Sequence, residues 1–177
     1  MIGRPPEALQ RLRLRALGEG DLDAFYAYRS DPEVARLQGW EPISRQEAAG
    51  FLKENASVDG FVPGGWVQLA IAHSQSDRLL GDLGVFLAPD QSTAELGITI
   101  TPSAQGNGYA TEAIGELLNL LFTTTPVVEV IACTDTRNAP CIAALKRAGM
   151  SPKGKREAEY KGELCTEMVF SIQRPEG

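Results

Sequence analysis

A short glycine-rich segment in the second half of the chain has residue types that could bind an anion. It reads Gln105-Gly-Asn-Gly-Tyr-Ala110 and connects a predicted strand to a predicted helix. Gly106 and Gly108 allow a ligand to approach the backbone closely, and the first N–H groups of a helix have no partner within it. Together with the helix dipole, these groups suit a pyrophosphate. The glycines alone do not decide between this site and a tight strand-to-helix turn.

Two other kinds of phosphate loop fit this segment poorly. A Walker loop requires the pattern G-x-x-x-x-G-K-[ST], and the sequence contains no such run. A dinucleotide-binding loop requires a third glycine or similarly small residue and a strand–helix–strand setting. Thr111 stands at that third position, and the strands before the segment are predicted to be antiparallel. The dinucleotide pattern is therefore a weak match, and the Walker pattern is absent.

The elements that must position this segment are predicted to form an α+β fold. Short polar turns separate the three strands before it, which is typical of an antiparallel meander. Strands are predicted at residues 10–17, 66–73, 79–87, 93–100, 127–133, 155–160 and 164–172, and helices at 20–30, 44–55, 108–122 and 138–148. Ser44 and Glu47 form a capping box, and Gly149 ends the last helix. The β-branched strand 127–133 is expected to be buried on both sides.

This order predicts a mixed, mostly antiparallel central sheet, flanked by helices and containing one parallel crossover. The 177 residues are 43% hydrophobic and 23% charged, which suits one globular domain spanning residues 1–177. No apolar run approaches the roughly 18 residues that span a membrane. The N-terminal residues lack the apolar region of a secretory signal. We therefore expect a cytoplasmic protein with no membrane partner.

Cysteine usage and charge restrict the function further. The cysteines Cys133, Cys141 and Cys165 have no metal-ligand spacing, and His73 is the single histidine. They are expected to be reduced thiols, so neither a disulfide framework nor a metal site is predicted. The net charge of −6 argues against a nucleic-acid partner, which requires a basic face. The same charge suits a cationic acceptor such as an amine, although its more general effect is to keep a protein soluble.

The glycine-rich segment and its surroundings resemble the GNAT superfamily of acetyl-CoA-dependent N-acyltransferases. The segment matches the Gln/Arg-x-x-Gly-x-Gly/Ala motif of that superfamily. The wider sequence resembles the branch that acetylates the N-terminal amines of ribosomal proteins. The matching segments are Leu80-Gly-Asp-Leu-Gly84, Glu95-Leu-Gly97, Tyr109-Ala-Thr-Glu-Ala113, Asn138-x-x-Cys141 and Leu145-Lys-Arg-Ala-Gly149-Met150. The likeness runs from the first strand to the last hairpin, and it implies a GNAT-like fold with acetyl-CoA as cosubstrate.

The resemblance also implies a set of cofactor-binding residues. In such enzymes two neighbouring strands splay apart, and the pantetheine arm enters the gap. The strand at residues 93–100 would offer backbone groups to the pantetheine amides, and the glycine-rich loop would hold the pyrophosphate. Asn138 would reach the pantetheine from the far side, and it also suits a helix N-cap. The implied residues are Ile98, Thr99, Ile100, Gln105, Gly106, Asn107, Gly108, Tyr109, Ala110, Thr111 and Asn138.

Two residues are candidates for proton transfer. Glu95 lies at the start of the strand beside the cleft, and it could accept the proton that an ammonium must lose before it attacks a thioester. The alternative for Glu95 is a solvated carboxylate next to a turn. Cys141 stands where the family often has a Ser or Tyr that protonates the leaving thiolate, and a thiol could donate that proton. The alternative for Cys141 is packing as a small buried residue.

The acceptor is expected to be an amine. The resemblance favours the α-amine of a peptide or protein N-terminus. Transfer is expected to be direct, without a covalent acyl-enzyme, because no Ser-His-Asp or Cys-His arrangement is evident. A small amine such as an aminoglycoside or polyamine, and a non-catalytic acyl-CoA-binding sensor, are the alternatives. Four aromatic residues could line an acceptor pocket: Trp40, Trp66, Tyr26 and Tyr160. Aromatic residues more usually pack in a core. Acidic residues that could lend it negative potential are Asp31, Glu33 and Glu159. The sequence is compatible with a homodimer and does not determine the oligomeric state.

Overall fold

The computed structural model describes residues 10–57 and 59–176, with only the backbone of Tyr160 included. The strands are β1 (Leu12–Ala16), β2 (Trp66–His73), β3 (Leu79–Leu87), β4 (Thr93–Ile100), β5 (Glu129–Asp135), β6 (Ser151–Tyr160) and β7 (Glu163–Gln173). The α-helices are α1 (Leu22–Arg29), α2 (Pro32–Ala35), α3 (Arg45–Glu54), α4 (Tyr109–Thr124) and α5 (Ala139–Arg147), with 3-10 turns at Glu19–Asp21 and Pro102–Ala104. Among these residues no helix is long and apolar enough to cross a bilayer.

All seven of these strands form one sheet in the order β1-β2-β3-β4-β5-β7-β6. Each neighbouring pair is antiparallel except β4 and β5, which are parallel and are joined through α4. The predicted mixed, mostly antiparallel sheet with one parallel crossover is therefore confirmed. The parallel ladder runs only from Thr93 opposite Glu129 to Leu96 opposite Ala132. Beyond Leu96 the two strands are no longer paired, and the sheet opens in its middle.

Apolar side chains cover both faces of the sheet. On one face α4 contributes its buried stripe, which comprises Ala113, Ile114, Leu117, Leu118 and Leu121. This spacing follows the 3.6-residue period of an amphipathic helix. On the other face Phe25 and Tyr28 of α1 pack with Leu52 of α3 against Ala70 and Leu79. The sheet is thus held between two layers of helices.

Buried polar contacts anchor α1 to the sheet. Asp82 of β3 is 1% exposed and accepts hydrogen bonds from the Tyr28 hydroxyl, from Arg29 Nη2 at 2.7 Å and from Gln68 Nε2 at 2.6 Å. Burial of a carboxylate is tolerated because every partner is a donor and one carries a positive charge. These bonds fix the end of α1, and therefore the start of the segment that continues through α2.

The C-terminal end of α4 is fixed by Arg174. Its guanidinium donates to the carbonyl oxygens of Phe122 at 2.6 Å, Thr125 at 2.6 Å and Val127 at 2.8 Å. Carbonyl groups at a helix C-terminus have no partner within the helix, and the helix dipole favours a cation there. Arg174 therefore stabilises the junction between α4 and β5.

All of the predicted strands and helices are present, but several details of the prediction are wrong. The sequence pattern did not predict α2, a single turn that begins after the N-cap Asp31. The last hairpin begins at Ser151 rather than at residue 155. The predicted burial of both faces of β5 is also wrong, because half-buried and buried residues alternate along most of it. The half-buried positions Glu129, Ile131 and Cys133 lie on the sheet face that also carries the half-exposed Glu95, and of these three Cys133 lines the opening.

Candidate active site

A cleft of about 320 Å³ lies where β4 leaves β5. Its walls come from the end of β4, the loop and first turn of α4, the exposed side of α5 and the region of α2. The residues that line it are Glu33, Val34, Leu37, Gln38, Ile98, Thr99, Ile100, Ala104, Gln105, Gly106, Gly108, Tyr109, Ala110, Thr111, Asn138, Pro140, Cys141, Ala143, Ala144 and Arg147. The glycine-rich segment and the opening in the sheet therefore share one cavity.

The loop before α4 presents backbone N–H groups to solvent. Gly106 and Gly108 adopt φ values of +80° and +79°, a conformation in which side-chain-bearing residues are strained. Within the described residues, no protein acceptor bonds the backbone N–H groups of residues 106–111. The loop is supported from beneath, because Gln105 Nε2 donates to the Ile100 carbonyl at 3.0 Å. These N–H groups at the start of a 16-residue helix, unbonded within the part of the chain that the structure describes, are an arrangement suited to an anion.

A smaller cavity of about 60 Å³ continues the cleft between β4 and β5. The residues that line it are Leu37, Gln38, Gly39, Leu96, Gly97, Ile98, Ala132, Cys133, Thr134, Asp135, Asn138, Cys141, Leu145 and Glu167. Gly97 is exposed, and a Cβ added to it would meet no atom within 4 Å. The two cavities share residues of β4 and α5, so the cleft extends through the opening to the face that carries Gly97.

Asn138 and Cys141 stand together at the start of α5. Asn138 Oδ1 accepts from the Cys141 backbone N–H at 3.3 Å, so Asn138 is the predicted N-cap of the helix. Both residues line both cavities. Burial raises the pKa of the Cys141 thiol, and a hydrogen bond with Thr134 opposes this in part. The thiol is therefore neutral at physiological pH and can donate a proton, but it is not a ready nucleophile.

Glu95 lies outside both cavities, on the sheet face that also carries Trp66. It is the third residue of β4, opposite Phe86 of β3 and Ile131 of β5. Its side chain is 41% exposed, and Oε1 lies 4.0 Å from Arg156 Nη2. Side chains two apart on a strand share a face, so Glu95 stands on the same side as the exposed Gly97.

Further charged groups border the opening. Glu167 of β7 is fully buried and accepts from Arg156 Nε at 2.8 Å. Asp135, also buried, accepts from Arg137 Nη2 at 2.7 Å, and Arg137 holds the pKa of Asp135 below its usual value. Burial raises the pKa of Cys133 to about 11, with Arg156 opposing the shift. Carboxylates and thiols thus meet at the inner end of the cleft, with both carboxylates paired to arginines.

The structure brings together nearly all of the predicted cofactor-binding residues. Every one of them lines the larger cavity except Asn107, whose side chain instead donates to the Ala104 and Gln105 carbonyls at 3.1 and 3.2 Å. The prediction missed the residues that α2 and the distal part of α5 contribute. Arg147 is one of them, and its spacing after Pro140 and Ala143 places all three on one helix face. This spacing is the sequence signal that could have identified the α5 residues.

The aromatic candidates for an acceptor pocket lie in different places. Trp66 is 59% exposed, so the general expectation of core packing is wrong for it. Its ring lies on the same face as Glu95 and contacts Phe86, with centroids 5.5 Å apart. The guanidinium carbon of Arg29 instead lies 4.4 Å from the centroid of the Trp40 ring, and that of Arg45 lies 5.7 Å from the centroid of the Tyr26 ring. The Tyr160 side chain lies outside the described residues.

The acidic and histidine candidates are also separated. Glu33 lines the larger cavity, whereas Asp31 accepts from the Glu33 backbone N–H at 2.9 Å as the N-cap of α2. Glu159 is exposed on β6. His73 Nδ1 accepts from the backbone N–H groups of Gln75 and Ser76 at 3.3 Å, which gives it a role in the turn. In the described ranges no three His, Cys, Asp or Glu residues are grouped to hold a metal ion.

Comparison with known proteins gives one family. The model of the acetyltransferase (GNAT) domain matches residues 11–151. The uncharacterised N-acetyltransferase p20 of Bacillus licheniformis is 25% identical over 170 residues, which cover 94% of this chain and 95% of that protein.

Solved structures share the fold. The spermidine N-acetyltransferase from Vibrio cholerae in complex with CoA and spermine superimposes with a TM-score of 0.77 at 20% identity, covering 93% of this chain and 96% of that one. RimL, a ribosomal L7/L12 alpha-N-protein acetyltransferase in complex with CoA, gives a TM-score of 0.77 at 16% identity, covering 93% and 94%. The match to the family model spans most of the chain, and the fold agrees with it. The chain therefore belongs to the GNAT family of acetyltransferases and is an acyltransferase.

Proposed function

We propose that this protein transfers the acetyl group of acetyl-CoA directly to the α-amine of a peptide or protein N-terminus. The observation that carries the proposal is the continuity of the cleft. It begins at the free N–H groups of residues 106–111 and ends at the opening where Gly97 is exposed. A pyrophosphate would bind at the N–H groups, and the thioester would lie at the opening.

The residues along the cleft suit a cosubstrate with amides in its middle. Residues 98–100 of β4 are not paired with β5, so backbone groups on that side could bond the pantetheine amides. The Ile100 carbonyl already accepts from Gln105 Nε2 at 3.0 Å, and a carbonyl oxygen can accept a second bond. Asn138 faces them across the cleft from α5. At the other end the helix dipole and the two left-handed glycines would hold the pyrophosphate. Thr111 in the first turn of α4 would add a hydroxyl.

Direct transfer requires few protein groups. The amine nitrogen forms a bond to the thioester carbonyl carbon, the C–S bond breaks, and the thiolate leaves with the electron pair. The amine must lose one proton, and the thiolate must gain one. Glu95, acting through water on the face beside Gly97, would take the first. The neutral Cys141 thiol at the inner end of the cleft would supply the second.

The choice of an α-amine follows from proton affinity. Deprotonation at pH 7 costs about 1 kcal/mol for an α-amine but about 4–5 kcal/mol for a lysine-type amine. Glu95 is open to solvent and paired with Arg156 at 4.0 Å. An acceptor that is already partly neutral depends least on such a base. The sequence resemblance to N-terminal acetyltransferases and the structural likeness to RimL point the same way.

A polyamine acceptor is the second candidate. It is supported by the structural likeness to the spermidine N-acetyltransferase of Vibrio cholerae and by Glu33, an acidic residue at the cleft. A third candidate is a sensor that binds acyl-CoA without turnover, which the likeness to CoA-bound structures also allows. The cytoplasmic location and the single-domain organisation remain proposals that rest on the sequence.

A thiol-release assay with acetyl-CoA separates these candidates. The panel comprises a short peptide with a free N-terminus, the same peptide N-acetylated, spermidine, an aminoglycoside and lysine. We expect release of CoA with the free peptide and none with its acetylated control. Faster release with spermidine would favour the second candidate. Binding of CoA without release for any amine would contradict the proposal and favour the sensor.

A further inference from the structure

Arg11 joins the first strand to the loop that precedes α4. It lies one residue before β1, nearly 100 residues away from that loop in the sequence. Its Nη1 donates to the Asn107 carbonyl at 2.7 Å, and its Nε donates to Glu112 Oε2 at 3.0 Å. Its backbone N–H donates to Glu112 Oε1 at 3.1 Å. One residue therefore holds both the loop and the first turn of the helix.

The guanidinium also packs against the segment between those two bonds. Its central carbon lies 4.7 Å from the centroid of the Tyr109 ring. A Cβ added to Gly108 would lie 3.4 Å from Arg11 Nη2. Arg11 thus contacts or borders the whole turn from Asn107 to Glu112. These contacts oppose a change in the left-handed conformation of Gly108, on which the direction of the following N–H groups depends.

Charge gives Arg11 a second effect on the loop. Glu112 is an acidic residue in the first turn of α4, with its side chain 17% exposed. A carboxylate there is favourable to the helix dipole, but it repels a phosphate bound at the same helix end. Arg11 pairs with this carboxylate and offsets its charge. Loss of Arg11 would leave an uncompensated negative group beside the anion site.

We propose that Arg11 is a positioning residue for acetyl-CoA, acting through the Asn107 carbonyl and the Glu112 carboxylate rather than through the reacting atoms. The inference rests on the proposed use of residues 106–111 as the pyrophosphate site. It assigns the effect of Arg11 to binding of the cosubstrate and not to the chemical step. The pair is half exposed on the arginine side, at 48%, so its strength is moderated by solvent.

The first test compares Arg11→Gln with Arg13→Gln. Arg13 lies two residues further along the chain, in β1, and Arg13→Gln removes the same charge, but Arg13 pairs with Asp77 at 2.6 Å and not with the loop. For Arg11→Gln we expect an increase in KM for acetyl-CoA of about tenfold, as for loss of a hydrogen bond to a charged group, with kcat changed less than twofold. For Arg13→Gln we expect both parameters to stay near those of the wild type.

A truncated donor distinguishes positioning of the loop from general damage. S-acetylpantetheine carries the thioester but lacks the pyrophosphate. Arg11→Gln should therefore use S-acetylpantetheine as well as the wild type does, although its affinity for CoA in calorimetry falls about tenfold. An equal loss with both donors would overturn the proposal, because it would place the effect in the fold or in the chemistry.

A double-mutant cycle separates the two contributions of Arg11. If Arg11 acts partly by offsetting Glu112, then Glu112→Gln should recover part of the CoA affinity lost in Arg11→Gln. Arg11→Lys keeps the charge but lacks the planar guanidinium, whose separate nitrogens reach Asn107 and Glu112, so its CoA affinity should fall between those of the wild type and Arg11→Gln. Arg11→Lys also provides a folded variant if Arg11→Gln unfolds.

Calorimetry with CoA alone keeps this test separate from that of the acceptor. A wild-type protein that does not bind CoA would remove both the proposed function and this inference. A wild-type protein that binds CoA, together with an Arg11→Gln or Arg11→Lys variant of unchanged CoA affinity, would remove only the inference. A loss of affinity confined to CoA, with S-acetylpantetheine unaffected, supports it whatever the acceptor proves to be.

Discussion

Substitution of Gly108 by alanine tests the anion site most directly. Gly108 is the N-cap of α4, with φ +79° and ψ 8°. A side-chain-bearing residue held in this left-handed conformation costs roughly 1–2 kcal/mol. Residues 105–108 are all exposed, so the loop without ligand has room to shift and relieve part of the strain, against the contacts that Arg11 makes with it. Binding must then restore the strained form, and the cost appears in the affinity for CoA.

This cost corresponds to a Kd for CoA that is about 5- to 30-fold higher, since 1.4 kcal/mol is tenfold in affinity. The melting temperature without ligand should change little. Gly106→Ala provides a comparison, because Gly106 has φ +80° but a Cβ there would meet no atom within 4 Å. It should show the same strain without the close approach to Arg11. Its Kd should therefore rise no more than that of Gly108→Ala.

The assay is isothermal titration of CoA, supported by thermal shift. Gly115→Ala is the control, because Gly115 is exposed within α4 and a Cβ there also meets no atom within 4 Å. That change should raise helix stability by up to about 1 kcal/mol and leave the Kd unchanged. A folded Gly108→Ala protein with the wild-type Kd would refute the reasoning, because the left-handed turn would then have no part in binding.

Three further predictions concern residues in or beside the opening between β4 and β5. Glu95→Gln should lower turnover at least about tenfold with a lysine-like acceptor, less with an α-amine, and flatten the acidic limb of the pH–rate profile; an unchanged profile would remove Glu95 as the base. Gly97→Ala should leave CoA affinity unchanged and raise KM for a peptide acceptor about fivefold by crowding it, whereas Gly115→Ala should not. The pKa of Cys133 is raised to about 11, so its thiolate forms only as the pH rises towards that value. Alkylation of Cys133 at pH 8 should be at least about a hundredfold slower than that of free cysteine, and mass spectrometry of the modified peptides would show a comparable rate if this were wrong.

The meander before the loop could be predicted from sequence because its strands are bounded by strong turn signals. The bounds of β2, β3 and β4 agree with the predicted ranges. Asp77 and Gln91, both with φ +60°, occupy the intervening turns. The capping box of Ser44 and the left-handed Gly149, with φ +95°, are likewise confirmed. These features depend on neighbouring residues, which a sequence displays directly.

The long-range parts of the site could not be predicted. Arg11 belongs to an alternating Arg–Leu run, and that pattern predicts only which face of a strand meets water. Its partner Glu112 is 101 residues away. The contribution of Leu37 and Gln38 to the cleft depends on the bonds that tie α1 to Asp82, and these also appear only in three dimensions.

The gap between β4 and β5 also gives the sheet an internal strand edge. Residues 97–100 pair with β3 on one side and, among the strands of the described residues, have no partner on the other. Unpaired strand edges are templates for pairing with another chain, and proteins normally protect them. Here the edge lies beside α5 and beneath Gln38. The Nε2 of Gln38 approaches the Ile98 carbonyl at 3.5 Å. A ligand that fills the gap would therefore also act as a cover, and protein stored without one would be the form more prone to aggregate.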